Sequence, residues 1–67
     1  MKLKQIMKHI PVYNEIELRK NFELIAKVPD INICKDRDRT WEQYENLTVG
    51  TIRALDENVM LISVYER

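Results

Sequence analysis

Side chains that could act as acids, bases or nucleophiles are sparse in this 67-residue sequence. His9 is the only histidine, and Cys34 is the only cysteine. A thiol nucleophile needs a base within hydrogen-bond reach, and His9 falls on the polar side of the first predicted element. We therefore expect no catalytic residue and no enzyme activity. His9 is expected to be an exposed side chain, and Cys34 a half-buried residue at the end of a strand.

The residues that commonly hold metals or phosphates are equally scarce. Asp36 and Asp38 alternate with arginines, so these carboxylates are better suited to internal ion pairs than to binding a cation. Gly50 is the only glycine, which excludes a glycine-rich loop of the kind that cradles phosphate groups. The sequence predicts neither a metal site nor a bound cofactor.

Composition indicates a single folded domain over residues 1–67. Hydrophobic residues make up 45% of the chain and charged residues 33%, which favours a folded core with a well-solvated surface. Eleven basic and eleven acidic residues cancel, so no overall field draws the chain to nucleic acid or to anionic membranes. The single cysteine and the lack of a long apolar run predict a cytoplasmic protein without membrane association.

Two elements are predicted in the first half of the chain. A short amphipathic helix is indicated by the spacing of Leu3, Ile6, Met7 and Ile10, and Pro11 ends it. Residues 13–28 then alternate between apolar and polar side chains. This alternation predicts a β-hairpin with its turn at Lys20-Asn21, because asparagine tolerates a positive φ.

The second half begins with a run of alternating charge at residues 35–39, which is typical of a solvated loop. Thr40 and Gln43 have the spacing of a capping box, which predicts a short helix. That helix would carry Trp41 and Tyr44 on one side. Residues 48–65 are predicted to form a second hairpin.

The final strand of that hairpin is apolar on both of its faces. One face carries Val59, Leu61 and Tyr65, and the other carries Met60, Ile62 and Val64. Such a strand normally lies inside a sheet and is covered on both sides. Since a chain of this length has little material for two covers, we expect a homodimer in which Val59, Leu61 and Tyr65 mediate self-association.

These elements predict a small single α+β domain in the order α-β-β-α-β-β. Its four-stranded sheet should be mainly antiparallel, with the N-terminal helix packed on it. The predicted core consists of Leu3, Ile6, Ile16, Leu18, Leu24, Val28, Ile52, Leu61 and Ile62.

The order of short motifs carries a family resemblance. A helix at 2–10 is followed by an extended segment at 12–18, and Val28-Pro29-Asp30-Ile31 closes the second strand. A Val-x-x-Ile pattern at 49–52 and an Asp/Asn turn precede the terminal apolar strand. In this layout the chain resembles small accessory proteins encoded by phages and prophages of low-GC Gram-positive bacteria, although Ala26 stands where such sequences often have glycine. The resemblance implies a phage setting and an α+β fold, but no defined activity.

Without chemistry of its own, the chain is predicted to bind another protein. Aromatic and arginine side chains dominate protein interfaces, and they cluster here at Arg37, Arg39, Trp41 and Tyr44. In the setting that the resemblance implies, the partner would be a host protein, such as a defence component, that binding inhibits sterically. The alternative is nucleic-acid binding or regulation through the basic N-terminal helix, with the two aromatic rings as stacking surfaces. The rings could equally anchor their short helix to the sheet.

Overall fold

One α-helix, two 3-10 helices and four strands are present in residues 1–66, the part of the chain that the computed structural model describes. Arg67, the last residue of the predicted domain, lies outside this part. The helix α1 spans Leu3–Met7. The strands are β1 (Glu15–Lys20), β2 (Glu23–Val28), β3 (Thr48–Asp56) and β4 (Val59–Tyr65). The 3-10 helices span Arg37–Thr40 and Glu42–Tyr44.

The strands form one sheet in the order β2-β1-β4-β3. β1 pairs with β2, and β3 with β4, in the antiparallel manner of the two predicted hairpins, whereas the central strands β1 and β4 are parallel. The four-stranded α+β fold is thus confirmed, but its sheet is mixed. β2 and β3 run in the same direction at opposite edges, so residues 29–47 form the long crossover that this arrangement requires.

One face of the sheet, here the covered face, packs against the helical segments. The fully buried side chains of the core are Leu3, Ile16, Leu18, Val28 and Ile62, all of which were predicted. Ile10 and Val64 complete the buried cluster, and the predicted core residue Ile6 packs against it half-buried. The core therefore lies between β1, β4 and the N-terminal segment.

Three predicted core residues lie elsewhere. Leu24 is 45% exposed because the register between β1 and β2 shifts at Ile25, which places Leu24 beside Arg19 on the other face. Ile52 faces the covered side but lies on the edge strand β3, where it is 40% exposed. Leu61 is half-buried and points away from the core, since it alternates with the buried Ile62.

The helices are shorter than predicted. α1 has five residues, and its start is held to the crossover by a hydrogen bond of 2.9 Å from the Leu3 N–H to the Leu47 carbonyl. The predicted second α-helix is replaced by the two 3-10 helices. The Thr40 hydroxyl does not cap a helix there, because it donates to the carbonyl of Arg37.

Candidate interaction surfaces

The first of the predicted partner-binding residues, Arg37, is buried and only 3% exposed. Its guanidinium donates to the carbonyl of Asn14 at 3.0 Å and to that of Pro11 at 3.4 Å. These two bonds join the crossover to the segment that leads into β1. The expectation of a fully solvated loop is therefore wrong at this residue, whose donors are directed inward.

The two aromatic residues of the predicted site are half-buried and pack against the core. The indole N–H of Trp41 donates to the Asp38 carboxylate at 3.2 Å, and the hydroxyl of Tyr44 donates to the Ile25 carbonyl at 3.4 Å. Arg39, by contrast, is exposed. Of the four predicted residues only Arg39 is exposed, and their binding to a partner remains a prediction.

The second face of the sheet, here the open face, carries the side chains predicted to mediate self-association. Along β4 these are Val59, Leu61 and Tyr65, of which Tyr65 is 39% exposed and the other two are half-buried. Self-association through them also remains a prediction. The stripe of three apolar side chains runs along the central strand β4.

Charged residues flank that stripe in an ordered pattern. Leu61 pairs with Glu17 of β1 on one side and with Arg53 of β3 on the other. Glu17 forms an ion pair of 3.0 Å with Arg19 on its own strand, which leaves its second oxygen available. Across the middle of the open face the row therefore reads basic, acidic, apolar, basic, because Lys27 of β2 pairs with Glu17 on its outer side.

A shallow groove of about 500 Å³ extends from the middle of the open face to the end where Tyr65 lies. Arg19, Phe22, Arg53 and Tyr65 are among the residues that line it. At Gly50 a side chain would lie only 3.2 Å from the ring of Tyr65, so the glycine allows that ring to lie close to β3. The groove thus combines two guanidinium groups with two aromatic rings.

The turn between β1 and β2 is the most unusual local conformation in the described chain. Asn21 has φ = 53° and Phe22 has φ = 68°, as the two central residues of a type I′ hairpin turn do. Asparagine adopts this conformation readily, but a bulky aromatic residue there is an outlier. The Phe22 side chain is also 98% exposed. Sequence reasoning missed this residue because it assigned the turn to Lys20-Asn21 and placed Phe22 in a strand.

The residues considered for chemistry lie apart from these surfaces. His9 is exposed, as predicted, whereas Cys34 is half-buried in an irregular segment and not at the end of a strand. Within residues 1–66, no three histidine, cysteine or acidic side chains come together as a metal ion requires. Nor does any helix in that range have the length and apolar character needed to cross a membrane.

Comparisons with protein-family models, with curated proteins and with solved structures give no match for this chain. The resemblance to phage accessory proteins therefore stays a prediction.

Proposed function

We propose that this protein acts by binding another protein stoichiometrically, and that Phe22 is the principal anchor. The observation that carries the proposal is the position of this aromatic ring, 98% exposed at the tip of a hairpin in a left-handed conformation. Large aromatic side chains are enriched among the residues that dominate interface energy. A fully exposed ring contributes little to the fold.

Backbone strain supports the same assignment. A left-handed conformation costs a non-glycine residue roughly 1 to 2 kcal/mol, and such strain tends to persist where it has a use. Glycine after Asn21 would form this turn without that cost. The presence of phenylalanine instead is understandable if its ring is buried in a complex.

The surroundings of Phe22 suit a protein partner. Arg19 and Tyr65 line the same groove, so an aromatic anchor lies beside a hydrogen-bonding guanidinium and a second ring. Following the resemblance noted in the sequence, the partner is a host protein, which a small tightly bound domain would block sterically. Nucleic-acid binding is less well supported, because α1 has only five residues and the charges of the chain balance.

The test compares wild type, Phe22→Ala and Ile33→Ala as affinity baits in a lysate of a low-GC Gram-positive bacterium. Ile33 is the matched control, since it is 81% exposed but lies outside the sheet. We expect wild type and Ile33→Ala to retain one protein in a 1:1 ratio. Phe22→Ala should bind that protein about thirtyfold more weakly, the effect of losing about 2 kcal/mol at an anchor.

Two results would contradict the proposal. One is equal retention of the partner by the Phe22 and Ile33 variants, which would exclude Phe22 as the anchor. The other is tight, salt-dependent binding of wild type to single-stranded DNA or RNA, which would favour the nucleic-acid alternative. Circular dichroism and thermal melting of each bait exclude loss of the fold as the cause.

A further inference from the structure

We infer that the open face of the sheet is covered by a second copy of this chain, with β4 of one copy packed over β4 of the other around a two-fold axis that runs along the strand. The inference does not rest on Phe22, although the two surfaces adjoin, because Arg53 and Tyr65 also line the groove beside that ring. Phe22 itself lies beyond the last paired row of β1 and β4, at Arg19 and Ser63.

The apolar stripe on β4 provides the centre of the interface. A two-fold axis along the strand places each stripe residue opposite its own copy, so Leu61 meets Leu61 and the two Tyr65 rings lie near each other. Two sheets that pack face to face lie about 10 Å apart with their strands roughly aligned, at about 30°. The match is therefore best at the middle of the stripe, at Leu61.

Charge complementarity selects this axis and this occupant. The row that pairs through Leu61 has Glu17 on β1 and Arg53 on β3. Rotation about β4 exchanges the positions of β1 and β3, which sets Glu17 of each copy against Arg53 of the other. Two ion pairs therefore flank the Leu61 contact. Arg53 forms no hydrogen bond or ion pair with another side chain within residues 1–66, so its guanidinium is available.

A second orientation of two copies lacks this match. A two-fold axis perpendicular to the strands would keep β1 over β1, so Glu17 would face Glu17 and Arg53 would face Arg53. The chosen axis also has one unfavourable row, at the end of the strands, where Glu15 of one copy meets Asp56 of the other. The Asp56 carboxylate in this row already accepts a hydrogen bond of 2.7 Å from the Glu57 N–H.

The size of the face sets the expected affinity. The molecule measures 32 × 22 × 20 Å, so one face offers on the order of 400 to 700 Å², somewhat below the roughly 800 Å² that each partner contributes to a standard stable interface. With charged side chains within the contact as well, we expect a dissociation constant in the micromolar range.

The experiment is a charge swap followed by sedimentation equilibrium of the full chain. We expect wild type to approach twice its 8.1 kDa mass at hundreds of micromolar. Glu17→Arg and Arg53→Glu should each weaken dimerisation at least tenfold, because each places like charges opposite one another.

A 1:1 mixture of the two variants should restore a dimer. In that mixed pair the two substituted side chains face each other with opposite charges, and the unchanged Glu17 of one copy faces the unchanged Arg53 of the other. Glu42→Arg, an exposed change in the second 3-10 helix, is the matched control and should leave the mass unchanged.

Two outcomes overturn the inference. A wild-type mass of 8.1 kDa at about 0.5 mM would mean that no second copy covers the face. A wild-type dimer that neither swap weakens, or that the mixture fails to restore, would place self-association on another surface. Restoration in the mixture also excludes misfolding as the cause of the single-variant losses. Since the Phe22 experiment measures capture of a different protein, either idea can fail while the other stands.

Discussion

Arg37 illustrates how far a single residue can depart from what its neighbours in sequence suggest. Residues 35–39 alternate in charge, and nothing in that run marks one arginine as different from the other. What distinguishes Arg37 is the position of two backbone carbonyls, those of Pro11 and Asn14, which tertiary structure brings to its guanidinium. Such a long-range requirement has no local signature, so the loop could be predicted but its buried member could not.

We predict that Arg37→Ala lowers the free energy of unfolding by about 2 kcal/mol or more, because two carbonyls lose a charged donor at a buried site. Arg39→Ala, two residues away and exposed, should change it by no more than about 0.5 kcal/mol. Urea denaturation measures both. Equal effects of the two substitutions would show that the bonds to the carbonyls add nothing to stability.

At Phe22 we predict the unusual result that glycine stabilises the protein. Phe22→Gly relieves the left-handed strain, roughly 1 to 2 kcal/mol, at the expense of roughly 0.5 to 1 kcal/mol of backbone entropy. The ring is 98% exposed and has little packing to lose. The free energy of unfolding should therefore rise by up to about 1.5 kcal/mol. Phe22→Ala is the control, since it removes the ring but keeps the strain, and a marked loss of stability with glycine would refute the argument.

At the C-terminal end of the sheet, Lys20 donates a hydrogen bond of 2.6 Å to Glu66, and this bond together with the ammonium charge lowers the pKa of the Glu66 carboxyl below its ordinary value of 4.5. A pKa lowered by folding means that the pair adds stability above the unfolded-state pKa. That contribution is lost as the pH falls through the lower folded-state pKa. In an NMR titration, Lys20→Met should return the Glu66 pKa toward 4.5, and salt should do the same in the wild type.

Among the elements, the strands were predicted better than the connections. Alternation located the first hairpin, because each of its strands has one face that must be buried. The doubly apolar run at 59–65 located the second. The shift at Ile25 could not be read from the sequence, since an extra residue in β2 moves Leu24 to the open face without breaking the local alternation. The segment at 40–47 has the residue types of a capped helix. The Thr40 hydroxyl instead bonds to the carbonyl of Arg37, within the first 3-10 helix.

At the level of these 3-10 helices, we predict that Trp41 stabilises the fold. Its ring packs against the core and its N–H bonds to Asp38. Trp41→Ala should lower the free energy of unfolding by about 2 kcal/mol, less than the roughly 3 to 5 kcal/mol of a fully buried ring. Gln43→Ala, an exposed change in the same segment, should have little effect. An unchanged melting temperature in Trp41→Ala would instead favour the predicted role of Trp41 in partner binding.

For the whole molecule, the parallel pairing of β1 and β4 is the feature that sequence reasoning could not supply. Either hairpin is consistent with its own residues, but their mutual orientation depends on how residues 29–47 cross the sheet. That crossing also places Glu17 and Arg53 on the two sides of Leu61. The doubly apolar β4 did indicate an interior strand, and the sheet order confirms it. The charge pattern beside it emerges only from the tertiary pairing.

If the protein dimerises as inferred, its melting temperature should depend on the protein concentration. If folding and association are linked, the unfolded chain is in equilibrium with a dimer, and mass action stabilises the folded state as the protein concentration rises. For a domain of this size, about 1 kcal/mol of stabilisation raises the melting temperature by roughly 4 to 8 °C. We expect the wild-type melting temperature to rise by several degrees between about 10 μM and 1 mM. Glu17→Arg alone should show a clearly smaller rise, whereas its 1:1 mixture with Arg53→Glu should recover the wild-type rise. A wild-type melting temperature that stays constant over this range would contradict the linkage, because a folded monomer has no reason to depend on concentration.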